Sequence, residues 1–226
     1  MATNFGKLKD TLPNHSLDAA GMSKVLRQTY LLLSLTLGVT AIMALISQAF
    51  RLPAPGLILT LVGFYGLMFL IHKTQNSSKS IGFTLLLAAF MGYTLGPILN
   101  NTLQLQNGGT LIANAFLMTA FAFVALSAYV HKTGKDMSFL GGFLVAGFVV
   151  LLVGVVLSLI FNISGLSLAL SVGFVLFSSA AILYETSAII HGGQTNYVLA
   201  TVGLYVSIYN LFLSLLNLLQ AFTGNK

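Results

Sequence analysis

The chain contains no cysteine and very little charge: of its 226 residues, only 6% are Asp, Glu, Lys or Arg. Without cysteine there is no disulfide, no thiolate nucleophile and no thiolate metal ligand. Soluble domains carry about 25% charged residues, so a water-soluble enzyme is excluded by composition. Hydrophobic residues make up 57% of the chain and its mean hydropathy is +0.94. Those values also exclude a disordered chain and a small secreted scaffold. What the sequence has in quantity is long apolar runs. The composition is that of an all-α polytopic membrane protein.

A helix needs about 20 apolar residues to cross a bilayer. Seven runs of that size occupy residues 25–49, 52–71, 81–99, 111–130, 139–163, 166–190 and 198–222. Turn-forming residues separate them: Arg51-Leu-Pro-Ala-Pro55, Gln75-Asn-Ser-Ser78, Asn100-Asn101 with Gly108-Gly109, Lys132-Thr-Gly-Lys135, the stretch from Asn162 to Gly165, and Gly192-Gly193. The short break at 162–165 predicts a tight hairpin between the fifth and sixth spans, while Pro53 and Pro55 fit either a turn or a kinked start of the second. Transmembrane strands would need about ten residues of alternating polarity each, and these runs are continuously apolar. The expected organisation is a polar, mobile tail over 1–24 with no signal peptide, a seven-helix domain over 25–222 and a short end at 223–226.

The cations are unevenly placed. Lys7, Lys9, Lys24, Arg27, Lys73, Lys79, Lys132 and Lys135 fall on one side of a seven-span topology, and only Arg51 and Lys226 fall on the other. The positive-inside rule then predicts a cytoplasmic amino terminus and a periplasmic carboxyl terminus. The net charge of +6 reads as a basic face toward anionic lipid. It is no sign of a nucleic-acid partner.

Four acids are present, and Glu185 alone lies inside an apolar run. Carboxylates within a span face the bundle interior and are often functional, because exposing the charge to hydrocarbon costs several kcal/mol. Three readings are open: a structural hydrogen bond to a hydroxyl or histidine, a proton- or ion-responsive site, and a side chain that snorkels toward the interface. The last span offers partners in Tyr205, Ser207, Tyr209, Asn210, Ser214 and Asn217. Tyr205 and Tyr209 share one helix face, Asn210, Ser214 and Asn217 share another, and Ser207 falls between the rows. Glu185, Ser207, Tyr205 and Asn210 are the candidate intramembrane polar, pH-responsive site. Small residues in Gly92-Tyr-Thr-Leu-Gly96 and at Gly141, Gly142 and Gly147 predict close helix packing, with a hinge at Gly96-Pro97 as the alternative.

Enzyme readings fail on inventory. Intramembrane aspartyl proteolysis needs two carboxylates sharing a proton, serine chemistry needs a base in reach of the nucleophile, and the four histidines lie at helix ends or in turns. No phosphate-binding glycine loop or metal-spaced histidine pair is present. No catalytic, metal or cofactor residues are expected.

Ile182-Leu-Tyr-Glu-Thr-Ser187 followed by Leu204-Tyr-Val-Ser-Ile-Tyr-Asn-Leu-Phe212 resembles the signature of the last two helices in the Bax inhibitor-1 family. Lys24-Val-Leu-Arg27, Leu52 through Gly63, Lys135-Asp-Met-Ser-Phe-Leu-Gly-Gly142 and His191-Gly-Gly-Gln-Thr-Asn196 extend the resemblance over nearly the whole chain. It implies a seven-helix bundle with the last helix central. The resemblance is closest to bacterial members that bind the FtsH membrane protease and its HflK/HflC scaffold, are degraded by FtsH, and restrain its action on membrane substrates. Other members are pH-sensitive calcium leaks in which two aspartates on the last two helices share a proton. Glu185 matches the first of those positions and Ser207 the second, so one of the two carboxylates is replaced by a hydroxyl.

Overall fold

The computed structural model describes residues 15–161 and 165–224. They form seven helices, α1 (His15–Ala49), α2 (Gly56–Lys73), α3 (Lys79–Leu103), α4 (Gly108–Thr133), α5 (Leu140–Phe161), α6 (Leu166–Ile190) and α7 (Tyr197–Gly224), with no strand among the described residues. All seven are long and apolar enough to cross a bilayer.

Two boundaries differ from expectation. α1 starts at His15, before the apolar run, because Leu17, Ala19, Ala20 and Met22 are good helix formers. Its 35 residues make about 50 Å of helix, well beyond the hydrocarbon thickness, and the apolar part is Ser23–Ala49. The last ten residues of the expected mobile tail are therefore helical, and residues 1–14 lie outside the described residues. α2 begins at Gly56, not residue 52. Pro53 and Pro55 hold Leu52 and Ala54 away from helical conformation, so the prolines form a turn. The expected 162–165 turn is described only at Gly165, whose left-handed backbone (φ 80°) precedes α6. α3 runs unbroken through Pro97, without the hinge.

α7 is the axis of the bundle. It packs against α1, α3, α4 and α6, while α2 packs mainly on α3 and α5 mainly on α6. In α7 67% of the span is buried, against 6% in α2 and in α5, so the six outer helices are not an even ring. Lipid tails are as apolar as leucine, so helix association here rests on close packing and polar contacts, not on removal of apolar area from water. The α1–α3 seam shows the packing. A side chain at Gly92 would run into the Thr40 backbone and Met43, and one at Gly96 into Ser47. At α5, Gly141 and Gly147 meet Tyr184 and Phe177 of α6, whereas Gly142 faces open space and takes no part.

Hydrogen bonds tie each end of the bundle. At one end Asn100 Nδ2 donates to Gln48 O (3.2 Å) and Gln220 Nε2 to Thr102 Oγ1 (2.6 Å). At the other, Asn196 Nδ2 donates to Gln75 O (2.9 Å), the Met137 N–H to Ser187 Oγ (2.9 Å), and His191 Nε2 lies 3.1 Å from Gly134 O. Asn196 also starts α7, its Oδ1 accepting the N–H groups of Val198 and Leu199. In the 134–139 loop the Asp136 carboxylate accepts the Ser138 N–H (2.9 Å) and hydroxyl (3.0 Å). Those bonds hold its pKa below the usual aspartate value.

Candidate functional site

α6 and α7 run antiparallel and meet along polar rows. On α6, Ser171, Ser178 and Glu185 recur every seven residues; on α7, Gly203, Ser207, Asn210, Ser214 and Asn217 recur at alternating intervals of four and three. Both spacings keep the residues on one helix face. A carbon built on Gly203 would lie 2.6 Å from Glu185 Oε1 and 3.0 Å from Oε2, so the carboxyl fills the space a side chain at 203 would take. Fourteen residues along each helix in opposite directions, Ser171 and Asn217 line the same small cleft with Ser167 and Gln220, about 280 Å³ in volume. The rows are thus in register from end to end, and this register sets Ser178 level with Asn210. Ser178 Oγ is buried without a hydrogen-bond partner.

The four candidate residues divide between two sides of α7. Ser207 lies on the Glu185 side: its hydroxyl donates to Gly203 O (3.0 Å), the same residue that abuts the carboxyl. Asn210 shares that face one turn further on and is half-buried. Tyr205 is not brought to Glu185. Two residues along a helix turn a side chain through about 200°, and the Tyr205 hydroxyl instead meets Thr40 Oγ1 on α1 (2.8 Å). Thr40 Oγ1 also lies 3.0 Å from Ala88 O of α3. Tyr209 repeats the pattern against Thr94 Oγ1 (3.1 Å) and Met91 O (3.3 Å) of α3. The tyrosines form a separate network that fastens α7 to α1 and α3.

Sequence reasoning missed Gly203, Thr40 and Thr94. Gly203 had a signal, since it sits four residues before Ser207 and seven before Asn210. The threonines had none, because a helical threonine ordinarily bonds to its own preceding turn, as Thr40 does to Thr36 O at 2.9 Å.

Chemically the α6–α7 seam offers one half-buried carboxyl with no hydrogen bond from any described residue. Ca²⁺ takes six to eight oxygen ligands, commonly several carboxylates, and one carboxyl beside a hydroxyl and an amide falls well short. Among the described residues no three His, Asp or Glu side chains converge. The seam can hold a proton or water, and it can pack.

Comparison with known proteins bears on most of the chain. Residues 22–224 match the family described as inhibitor of apoptosis-promoting Bax1. An uncharacterized protein of Pseudomonas aeruginosa is 61% identical over 197 residues, covering 87% of this chain and 89% of that protein. Two Escherichia coli proteins, named "Modulator of FtsH protease YccA" in strain K12 and "Inner membrane protein YccA" in strain CFT073, are each 57% identical over 196 residues, covering 87% of this chain and 89% of theirs.

Proposed function

The chain belongs to the Bax inhibitor-1 family, and from that premise we propose that it is an inner-membrane modulator of the FtsH protease, binding FtsH with its HflK/HflC scaffold and restraining degradation of membrane substrates. The observation that carries this reading is 57% identity over 87% of the chain to a protein named as a modulator of that protease. The amino terminus faces the cytoplasm in this reading, supported by the eight cations on that side.

The mechanism is competition. FtsH takes hold of the residues before α1 and must then pull α1 out of the bundle. The packing of α1 on α3 opposes that step, and so do its bonds to α7: Thr201 Oγ1 donates to Thr29 O (3.2 Å), and the Tyr205 hydroxyl bonds Thr40. A substrate that is engaged readily and extracted slowly occupies the protease.

Copurification with FtsH from nanodiscs tests the reading. Retention of FtsH by the full chain is expected; no retention with the scaffold present contradicts it. A chain lacking residues 2–14 is expected to escape degradation by FtsH, and degradation at the full rate would rule out the handle.

One observation favours a second reading, a pH-sensitive cation leak: the unpartnered carboxyl lies in a polar row with the buried, unbonded Ser178 hydroxyl. Calcium flux into proteoliposomes that disappears in Glu185→Gln would support it; equal flux with and without the protein would dismiss it.

A further inference from the structure

At the end of the bundle where α1 and α3 finish, a cleft of about 570 Å³ is lined by Gln48, Arg51, Pro97, Asn100, Asn101 and Gln104. Arg51 holds an unusual backbone position, with φ at +50°. Its N–H donates to Gln48 O (3.1 Å) and the next N–H, of Leu52, to Ser47 O (2.9 Å), the paired bonds that close a helix with a left-handed residue. Glycine is the usual occupant because a side chain is strained there. A cation does suit a helix carboxyl terminus, yet it would do so from the preceding turn without the strain.

The surroundings are donor-rich and lack any acid. Four amide-bearing residues line the cleft with Arg51, and Asn100 Nδ2 already ties the α3 wall to Gln48 O. The acids among the described residues lie toward the other end, Asp18 near the start of α1, Asp136 between α4 and α5 and Glu185 near the close of α6. Phe50 beside Arg51 is 75% exposed, and Leu103 and Leu105 stand out next to Gln104, giving the cleft an apolar rim. An arginine fork among amides, at a helix end beside lipid-facing side chains, has the chemistry that binds a phosphate through two parallel N–H···O bonds.

We propose that the Arg51 cleft is a phosphate-binding site, taking either the phosphodiester of an anionic lipid or a free phosphate. The site depends neither on FtsH nor on the chemistry at Glu185.

Native mass spectrometry of the full chain, with phosphatidylglycerol, phosphatidylcholine and inorganic phosphate as probes, tests it. Arg51→Gly should fold, since glycine suits the left-handed position, and it should lose phosphate-bearing adducts by about tenfold or more, the weight of a charged hydrogen-bond pair. Gln104→Ala should weaken them less, and Lys79→Gln at the opposite end should leave them unchanged. Preference for phosphatidylglycerol over both other probes assigns a lipid headgroup; equal retention of inorganic phosphate assigns the free anion. Adducts that persist at the wild-type level in Arg51→Gly, with the circular dichroism melt intact, would overturn the proposal, as would equal loss in Lys79→Gln.

Discussion

α5 and α7 are both membrane-spanning helices, yet they are built on opposite principles. α5 is the most apolar of the seven, with Ser158 its one polar side chain, and only 6% of its span is buried. α7 carries Thr201, three tyrosines, Ser207, Asn210, Ser214, Asn217 and Gln220, and 67% of its span is buried. In water the more hydrophobic helix would be the core. In a bilayer apolar surface is already satisfied by lipid, so the helix that needs protein partners is the one with polar groups and small residues. The polar helix becomes the axis, and the apolar one becomes the side of the bundle.

Substitutions that treat the two helices alike should sharpen this contrast. Gly203→Leu, which drives a side chain into the Glu185 carboxyl, is expected to destabilise the protein by about 3 kcal/mol, read by SDS-titration unfolding followed by circular dichroism. Part of that loss should return in the Glu185→Ala background; equal losses in both backgrounds would mean the two residues do not touch. Tyr205→Phe should cost about 1 kcal/mol, a typical interhelical hydrogen bond in a membrane, and Tyr205→Phe combined with Thr40→Val should cost little more than either alone. On α5, Gly142→Leu and Val150→Ala should stay within about 0.5 kcal/mol, because one faces open space and the other is exposed. A loss near that of Gly203→Leu would break the comparison.

The smallest effect lies outside the membrane. The Ser138 N–H and hydroxyl bonds hold the folded-state pKa of Asp136 below its unfolded value. Its stabilisation of the turn before α5 is therefore complete above the ordinary aspartate pKa and fades as pH falls through the lower folded value. The Ser138 amide resonance should titrate with a midpoint below about 3.9; a midpoint at or above that value would contradict the assignment.

The spans were legible because a bilayer imposes length and continuous apolarity, so even the bounds of α6 agree with the sequence expectation. The start of α1 was not, since residues 15–24 are helical by propensity while polar in composition. The site was half legible. Spacing separated the Tyr205–Tyr209 row from the Asn210–Ser214–Asn217 row but left Ser207 between them, and only the contact at Gly203 assigns the second row to Glu185. Glycine has no polar atom to flag a site, and the threonines on α1 and α3 that meet the tyrosines look in sequence like residues bonded to their own helices.

The central claim, restraint of FtsH by a bundle pinned through α7, meets its most direct test in reconstituted proteoliposomes, where FtsH degrades a separate membrane substrate with and without this chain. Slower degradation with the wild type, and relief of that slowing in Gly203→Leu, is the predicted result. Substrate half-life unaffected by the wild-type chain would contradict it.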